Sequence, residues 1–220
     1  MKELAIFAMG VALAGAVATL VISTPQAYPA EKEPRFPQLK VEQLNDQQRA
    51  VAAEIMKVSS VGISGPYNPM LRSPILADRV FKLLDYLRFN TSVPRKLNEF
   101  AILIQARLWT SQIEWYAHYP LAIKAGLSES VAADLKEGKR PASMQPDEAV
   151  VYDLCMELST KHAVSDATFN RAREIFSEQQ VVDLIMVSGT YVSVAMLANA
   201  AQEGVPPGKT PPLQALSSER

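Results

Sequence analysis

The sequence predicts an all-α protein. Apolar residues recur at three- and four-residue intervals in one segment after another, the period of a helix face. Strict alternation and hairpin dipeptides, the marks of paired strands, are absent. Ser, Asn, Gly and Pro stand at the joints, where helices start and stop.

Taken in order, residues 1–30 hold an apolar run from Leu4 to Ile22 and then Ser23, Thr24 and Pro25. This reads as an export segment. Two readings of it stay open: a cleaved signal peptide, or an uncleaved anchor, because residues 4–22 approach the length of roughly 20 that spans a bilayer. Either way the folded part is expected in an exported compartment, periplasmic or secreted, or held at the membrane. Residues 31–40 are charged and Pro-rich, through Pro34, Arg35, Phe36 and Pro37, and read as an extended linker.

The helical domain is expected over residues 41–203. Asn45 caps a helix from Asp46 to about Val58, with Val51, Ile55 and Val58 on its apolar face. Gly62 to Pro74 is a loop that offers one cation, Arg72, and Ile75 to Phe89 resumes the helical period through Val80, Leu83, Leu84 and Leu87. Ser92, Val93 and Pro94 open a helix whose Leu97, Phe100, Ala101, Ile104 and Leu108 predict a central, buried position. A further helix is read from Ser111 to Ala125, stopped by Gly126. Ser128 caps a short helix ending at Gly138. After a joint, helices follow over Asp147 to Lys161, Asp166 to Phe176 capped by Ser165, and Glu178 to Ala200 capped by Ser177. Residues 204–220, with Pro206, Pro207, Pro211 and Pro212, read as a disordered or docking tail.

Composition narrows the function. Twenty-two Lys and Arg against 23 Asp and Glu give a net charge of −1 with no dense basic run, so nucleic acid is not an expected partner. The single cysteine, Cys155, forms no CxxC pair and no intramolecular disulfide; set among Val151, Leu154 and Met156, it reads as a core thiol. No His/Cys ligand set for zinc is present and the methionines are scattered, so no metal or cofactor is expected. His162 follows Lys161 near a helix end and reads as a surface residue.

Polar residues intrude on the two central helices: Glu99, Gln105, Arg107, Ser111, Glu114 and His118. Glu114 and His118 are four residues apart, which on a helix turns one only about 40° from the other. A carboxylate beside an imidazole is an acid/base pair; it orients the ring and raises its pKa, while burial against Trp109, Trp115 and Tyr119 raises that of the acid. The alternative is a solvated helix face on which such a pair has no function.

The run from Leu97 to Arg107, then Glu114-Trp115-Tyr116-Ala117-His118-Tyr119-Pro120, resembles the carboxymuconolactone decarboxylase family, which includes alkylhydroperoxidase D. Gly65-Pro66-Tyr67-Asn68, Leu71 to Pro74, and Gly189-Thr190-Tyr191 with Asn199 are similar to other parts of these proteins, so the resemblance spans about 38–200. It implies an alkylhydroperoxidase D-like multi-helix bundle and a homo-oligomer, a trimer or hexamer. In the peroxidase branch a Glu, a Cys-x-x-Cys pair and a His form the site. Here Glu99 and His118 match, whereas the thiol positions hold Ser111 and Glu114, neither of which forms a thiolate or a disulfide. The resemblance therefore points to the non-redox branch: cofactor-free acid/base chemistry, a decarboxylation or related proton transfer, on a small anionic or lactone-like substrate. His118 would exchange the proton, Glu114 orient it and Glu99 relay protons, while Arg72, Arg107, Ser111 and Trp115 bind substrate. A non-catalytic binding or scaffold protein on the same fold is the alternative; peroxidase activity is the weakest of the three.

Overall fold

A computed structural model describes residues 33–59 and 61–216. The apolar segment 4–22 lies outside the described residues. Among those described there are nine α-helices and no strands: α1 (Asp46–Val58), α2 (Tyr67–Met70), α3 (Pro74–Asp85), α4 (Arg95–Leu108), α5 (Gln112–Lys124), α6 (Glu129–Lys136), α7 (Pro146–Lys161), α8 (Asp166–Ile175) and α9 (Glu178–Ala201). The caps fall where the sequence places them. Asn45, Ser165 and Ser177 each accept a hydrogen bond from the backbone three residues on, and Gly126, at φ +100°, takes the left-handed conformation that ends α5.

Helix α4 is the axis of the molecule. Every residue from Leu97 to Arg107 is buried, because α5, α7 and α9 all pack on it. Its aliphatic side chains join those of the other three in the main core, each fully buried one contributing about 1.5–3 kcal/mol. Being enclosed on all sides, α4 also carries its polar residues into the interior. Gln105 bonds Ser188 Oγ of α9 at 2.7 Å and Ser159 Oγ of α7 at 3.0 Å, so it ties three helices together. Cys155 is buried in this core. A second apolar cluster, with Val51, Ile55, Met70, Leu71 and Phe81, joins α1, α2 and α3. Helix α9 is long and apolar enough to cross a membrane, yet half of that stretch is buried against the other helices.

The structure departs from the sequence reading in three places. The helix expected over 75–89 is interrupted: α3 ends at Asp85 and a wider π-type turn runs Tyr86–Asn90. Asn90 Nδ2 takes up the Asp85 carbonyl and Asn98 Nδ2, from inside α4, takes the Leu87 carbonyl, which satisfies backbone groups that the wider turn frees. The loop after Gly62 contains α2. The described part of the linker is a strap: Arg35 N–H donates to the Ala201 carbonyl at 2.8 Å, and Leu39 exchanges two 3.0 Å hydrogen bonds with the Asn68 side chain. The tail, for which the sequence leaves disorder and docking open, is docked up to residue 216. Leu213 is buried, and its N–H and carbonyl bond Gln112 at 2.9 and 2.7 Å.

Candidate active site

Three residues between α4 and α5, Trp109, Thr110 and Ser111, decide which face of α5 meets α4. Thr110 takes a left-handed φ of 48°, costly for a β-branched residue. The turn is held by the Ser111 N–H on the Ala106 carbonyl at 2.8 Å and by Arg107 Nη2 on Thr110 Oγ1 at 3.3 Å. Reversed by this turn, α5 lays Ile113, Glu114, Ala117, His118 and Leu121 along one wall of a cavity of about 210 Å³. Tyr67, Arg88 and Tyr191 close other sides, and Phe89 and Arg95 also line it.

From this wall His118 reaches back to Glu99 of α4. His118 Nδ1 lies 2.7 Å from Glu99 Oε2, so the ring proton on Nδ1 donates to the carboxylate and Nε2 is left for a bound molecule. The other carboxylate oxygen, Oε1, is 3.7 Å from Arg95 Nε, one turn earlier on α4. The Tyr191 ring meets the imidazole edge-on, with centroids 5.0 Å apart. Burial lowers the His118 pKa below its ordinary value, outweighing the pull of Glu99 in the other direction. The imidazole is therefore neutral at neutral pH, against the upward shift expected from the sequence.

Glu114 is different in kind. It is 3% exposed and neither carboxylate oxygen meets a donor in good hydrogen-bond geometry. Burial pushes its pKa from the ordinary 4.5 to about 8, outweighing the Ser111 hydroxyl, which acts in the other direction. At neutral pH it holds its proton. The orienting role that four-residue spacing assigned to Glu114 thus falls geometrically to Glu99, nineteen residues from His118 in sequence and on the neighbouring helix.

Of the residues expected to bind substrate, none lines this cavity. Arg72 holds the strap: it donates to the Asn68 carbonyl at 2.9 Å and to the Pro37 carbonyl, and its guanidinium lies over the Phe36 ring. Arg107 is buried and secures the tail through the Gln214 carbonyl at 2.8 Å, besides bracing Thr110. Trp115 points to the other side of α5, stacked on Tyr119 with ring centroids 6.2 Å apart, beside a second hollow that Pro212 of the tail helps to line. Ser111 is wholly buried behind Glu114. Sequence reasoning missed Arg88, Arg95 and Tyr67. The four-residue interval from Arg95 to Glu99 is a legible signal, whereas Arg88 sits in the wide turn that the continuing apolar period conceals. Tyr191, read as a packing ring, both packs and lines the cavity.

No thiol faces the cavity, since Cys155 is enclosed in the core with its pKa pushed up to about 12 by burial. Among the described residues no three His, Cys, Asp or Glu side chains gather as a metal-ligand set.

No protein-family model matches the sequence, and no curated protein matches it. Among solved structures the chain is similar to the crystal structure of an alkylhydroperoxidase AhpD core, an uncharacterized peroxidase-related protein from Ralstonia eutropha JMP134. The TM-score is 0.66 at 17% identity, over 80% of this chain and 93% of the other. At that identity the likeness is one of fold. It runs through nearly the whole length of the other protein, and the chain accordingly adopts the alkylhydroperoxidase D-like helical fold.

Proposed function

We propose that the cavity performs cofactor-free acid/base catalysis, a decarboxylation or related proton transfer, on a small anionic or lactone-like molecule. The observation that carries this reading is a pair of titratable groups one helical turn apart on the same wall whose environments drive their protonation in opposite senses. His118 is without its second proton at neutral pH and serves as the base through Nε2. Glu114 keeps its proton and serves as the acid. Such divergence is how one site holds both roles at one pH. Glu99 fixes the His118 tautomer and stabilises the imidazolium that forms once a proton is taken.

The residues suit loss of carbon dioxide or migration of a double bond. Proton removal or decarboxylation beside a carbonyl leaves an enolate, and a protonated carboxyl donates a hydrogen bond to it in a site shielded from water. The test is deuterium incorporation in heavy water, followed by proton NMR on a panel of small unsaturated lactones and keto acids. Incorporation that falls by about 10²–10⁴-fold in both His118→Ala and Glu114→Gln, with binding retained, is the expected result. Binding without incorporation would establish the non-catalytic ligand-binding alternative instead.

A further inference from the structure

The charges around the cavity do not balance. Two guanidinium groups line it, Arg88 and Arg95. Arg95 is half exposed and faces Glu99 Oε1 at 3.7 Å. The other Glu99 oxygen is committed to His118, so this one carboxylate serves both groups. Arg88 sits deeper, on the wide turn after α3. Its Nε is buried without a hydrogen-bond partner. Its companions are mostly rings and hydroxyls: Phe89, whose centroid is 4.7 Å from Cζ, and the phenols of Tyr67 and Tyr191, with the Glu99 carboxylate acting on it as well. Both phenols are pushed up by burial and stay neutral, and Glu114, the other carboxyl on the wall, is protonated at neutral pH. The Glu99 carboxylate is left as the one charge that answers Arg88, and it already serves His118 and Arg95; a partly buried guanidinium with so divided a counter-charge is costly, and a bound anion offsets that cost.

The kind of anion follows from the rest of the wall. Val58, Met70, Leu84, Ile113, Leu121 and Val194 present hydrocarbon, which accommodates an apolar body and gives nothing to a free inorganic ion. A guanidinium meets a carboxylate with two parallel hydrogen bonds. Arg88 also acts electrostatically on His118, so the anion corner and the proton-transfer pair share one small space. A second negative charge on the ligand would find only Arg95, already shared with Glu99. We propose that the Arg88 corner is a carboxylate subsite and that the cavity selects a small monocarboxylate with an apolar body over a dicarboxylate, a neutral molecule or phosphate. This names the substrate class for the acid/base reading and rests on it only for what happens after binding.

Calorimetry on the full chain with benzoate as probe tests the subsite. Saturable benzoate binding at millimolar concentration or below is expected, with benzamide and the dianion phthalate each at least about tenfold weaker and inorganic phosphate not competing. Arg88→Gln should lower benzoate affinity by about 10- to 100-fold, and Arg88→Lys, which keeps the charge without the fork, should fall between. No benzoate binding, equal affinity for benzamide or phthalate, competition by phosphate, or indifference to both Arg88 variants overturns the subsite. Should Arg88→Gln prove unfolded by circular dichroism, the Arg88→Lys variant and the ligand series decide alone. Deuterium incorporation in the His118 variant is a separate readout. Arg88-dependent binding with incorporation unaffected by His118→Ala leaves the subsite standing and removes the acid/base reading, and the converse removes only the subsite.

Discussion

Glu99 and Glu114 are two buried carboxyls with different surroundings. Glu99 has an imidazole on one oxygen and a guanidinium near the other, while Glu114 meets no donor in good hydrogen-bond geometry on either. Removing each should therefore act differently on His118. In Glu99→Gln the stabilising carboxylate is lost while the desolvation remains, so the His118 pKa should fall further; Glu114→Gln removes no contact with the ring and should leave it almost unmoved. Imidazole carbon-bound proton shifts against pH measure this, with exposed His162 supplying the second resonance. Equal movement in both variants would contradict the Glu99–His118 pairing. The spacing rule brought out Glu114 with His118 because both lie on one helix, and periodicity speaks only about residues on the same helix. The contact from Glu99 crosses between helices. Glu99 stands out in the sequence as a polar intrusion on a central helix and the family resemblance gives it a place in the site, but no spacing argument could show which oxygen meets which nitrogen.

At the scale of elements, the joints rather than the helices shape the cavity. Gly65 enters the loop before α2 at φ +64°, and a Cβ there would stand 3.2 Å from Ile113 Cγ1 on α5. Gly65→Ala combines a disfavoured backbone with pressure on a cavity-lining side chain, and urea unfolding should show a loss of about 1–2 kcal/mol. Asn98 belongs to the same class of support. Buried in α4, it donates to the Leu87 carbonyl in the wide turn that presents Arg88. Asn98→Ala should cost about 1–3 kcal/mol by orphaning that carbonyl, and it should weaken benzoate binding through misplacement of Arg88, a change that a purely structural role would not produce. Helix existence and capping were legible because they are local: the apolar period and the side-chain caps lie within a few residues. The wide turn was not, since the apolar series through Leu83, Leu84 and Leu87 continues helically and one of the groups that sustains the turn comes from Asn98, eleven residues away from Leu87. The linker looks like free chain in composition, and the tail's composition leaves disorder and docking equally open. Their anchors, Asn68, Gln112 and Arg107, are far away in sequence.

At the scale of the whole molecule, the two groups assigned to acid/base work also shape stability against pH, with opposite signs. Glu114 leaves the unfolded chain's proton behind near its ordinary 4.5 but keeps it in the fold until about 8. The folded state binds the extra proton between those values, so stability declines as pH rises through that window and levels off above it. The slope is about 1.4 kcal/mol per pH unit and the total on the order of 5 kcal/mol. His118 works the other way. Its pKa is lowered from the ordinary 6.5, so below about that pH the unfolded chain binds a proton that the fold refuses, and stability falls as the solution is acidified. The two slopes oppose each other just below about pH 6.5, while between about 6.5 and 8 the Glu114 slope acts without that opposition. Urea unfolding of the wild type and Glu114→Gln across this range isolates the effect, because other titrating groups contribute alike to both proteins. The variant should lose the decline between pH 6.5 and 8 and be the more stable of the two at the alkaline end, where the wild type must bury a charged carboxylate with no well-placed donor or release it by unfolding. Parallel curves would mean that Glu114 ionises in the fold as it does in water, and the acid of the proposed pair would be lost with it.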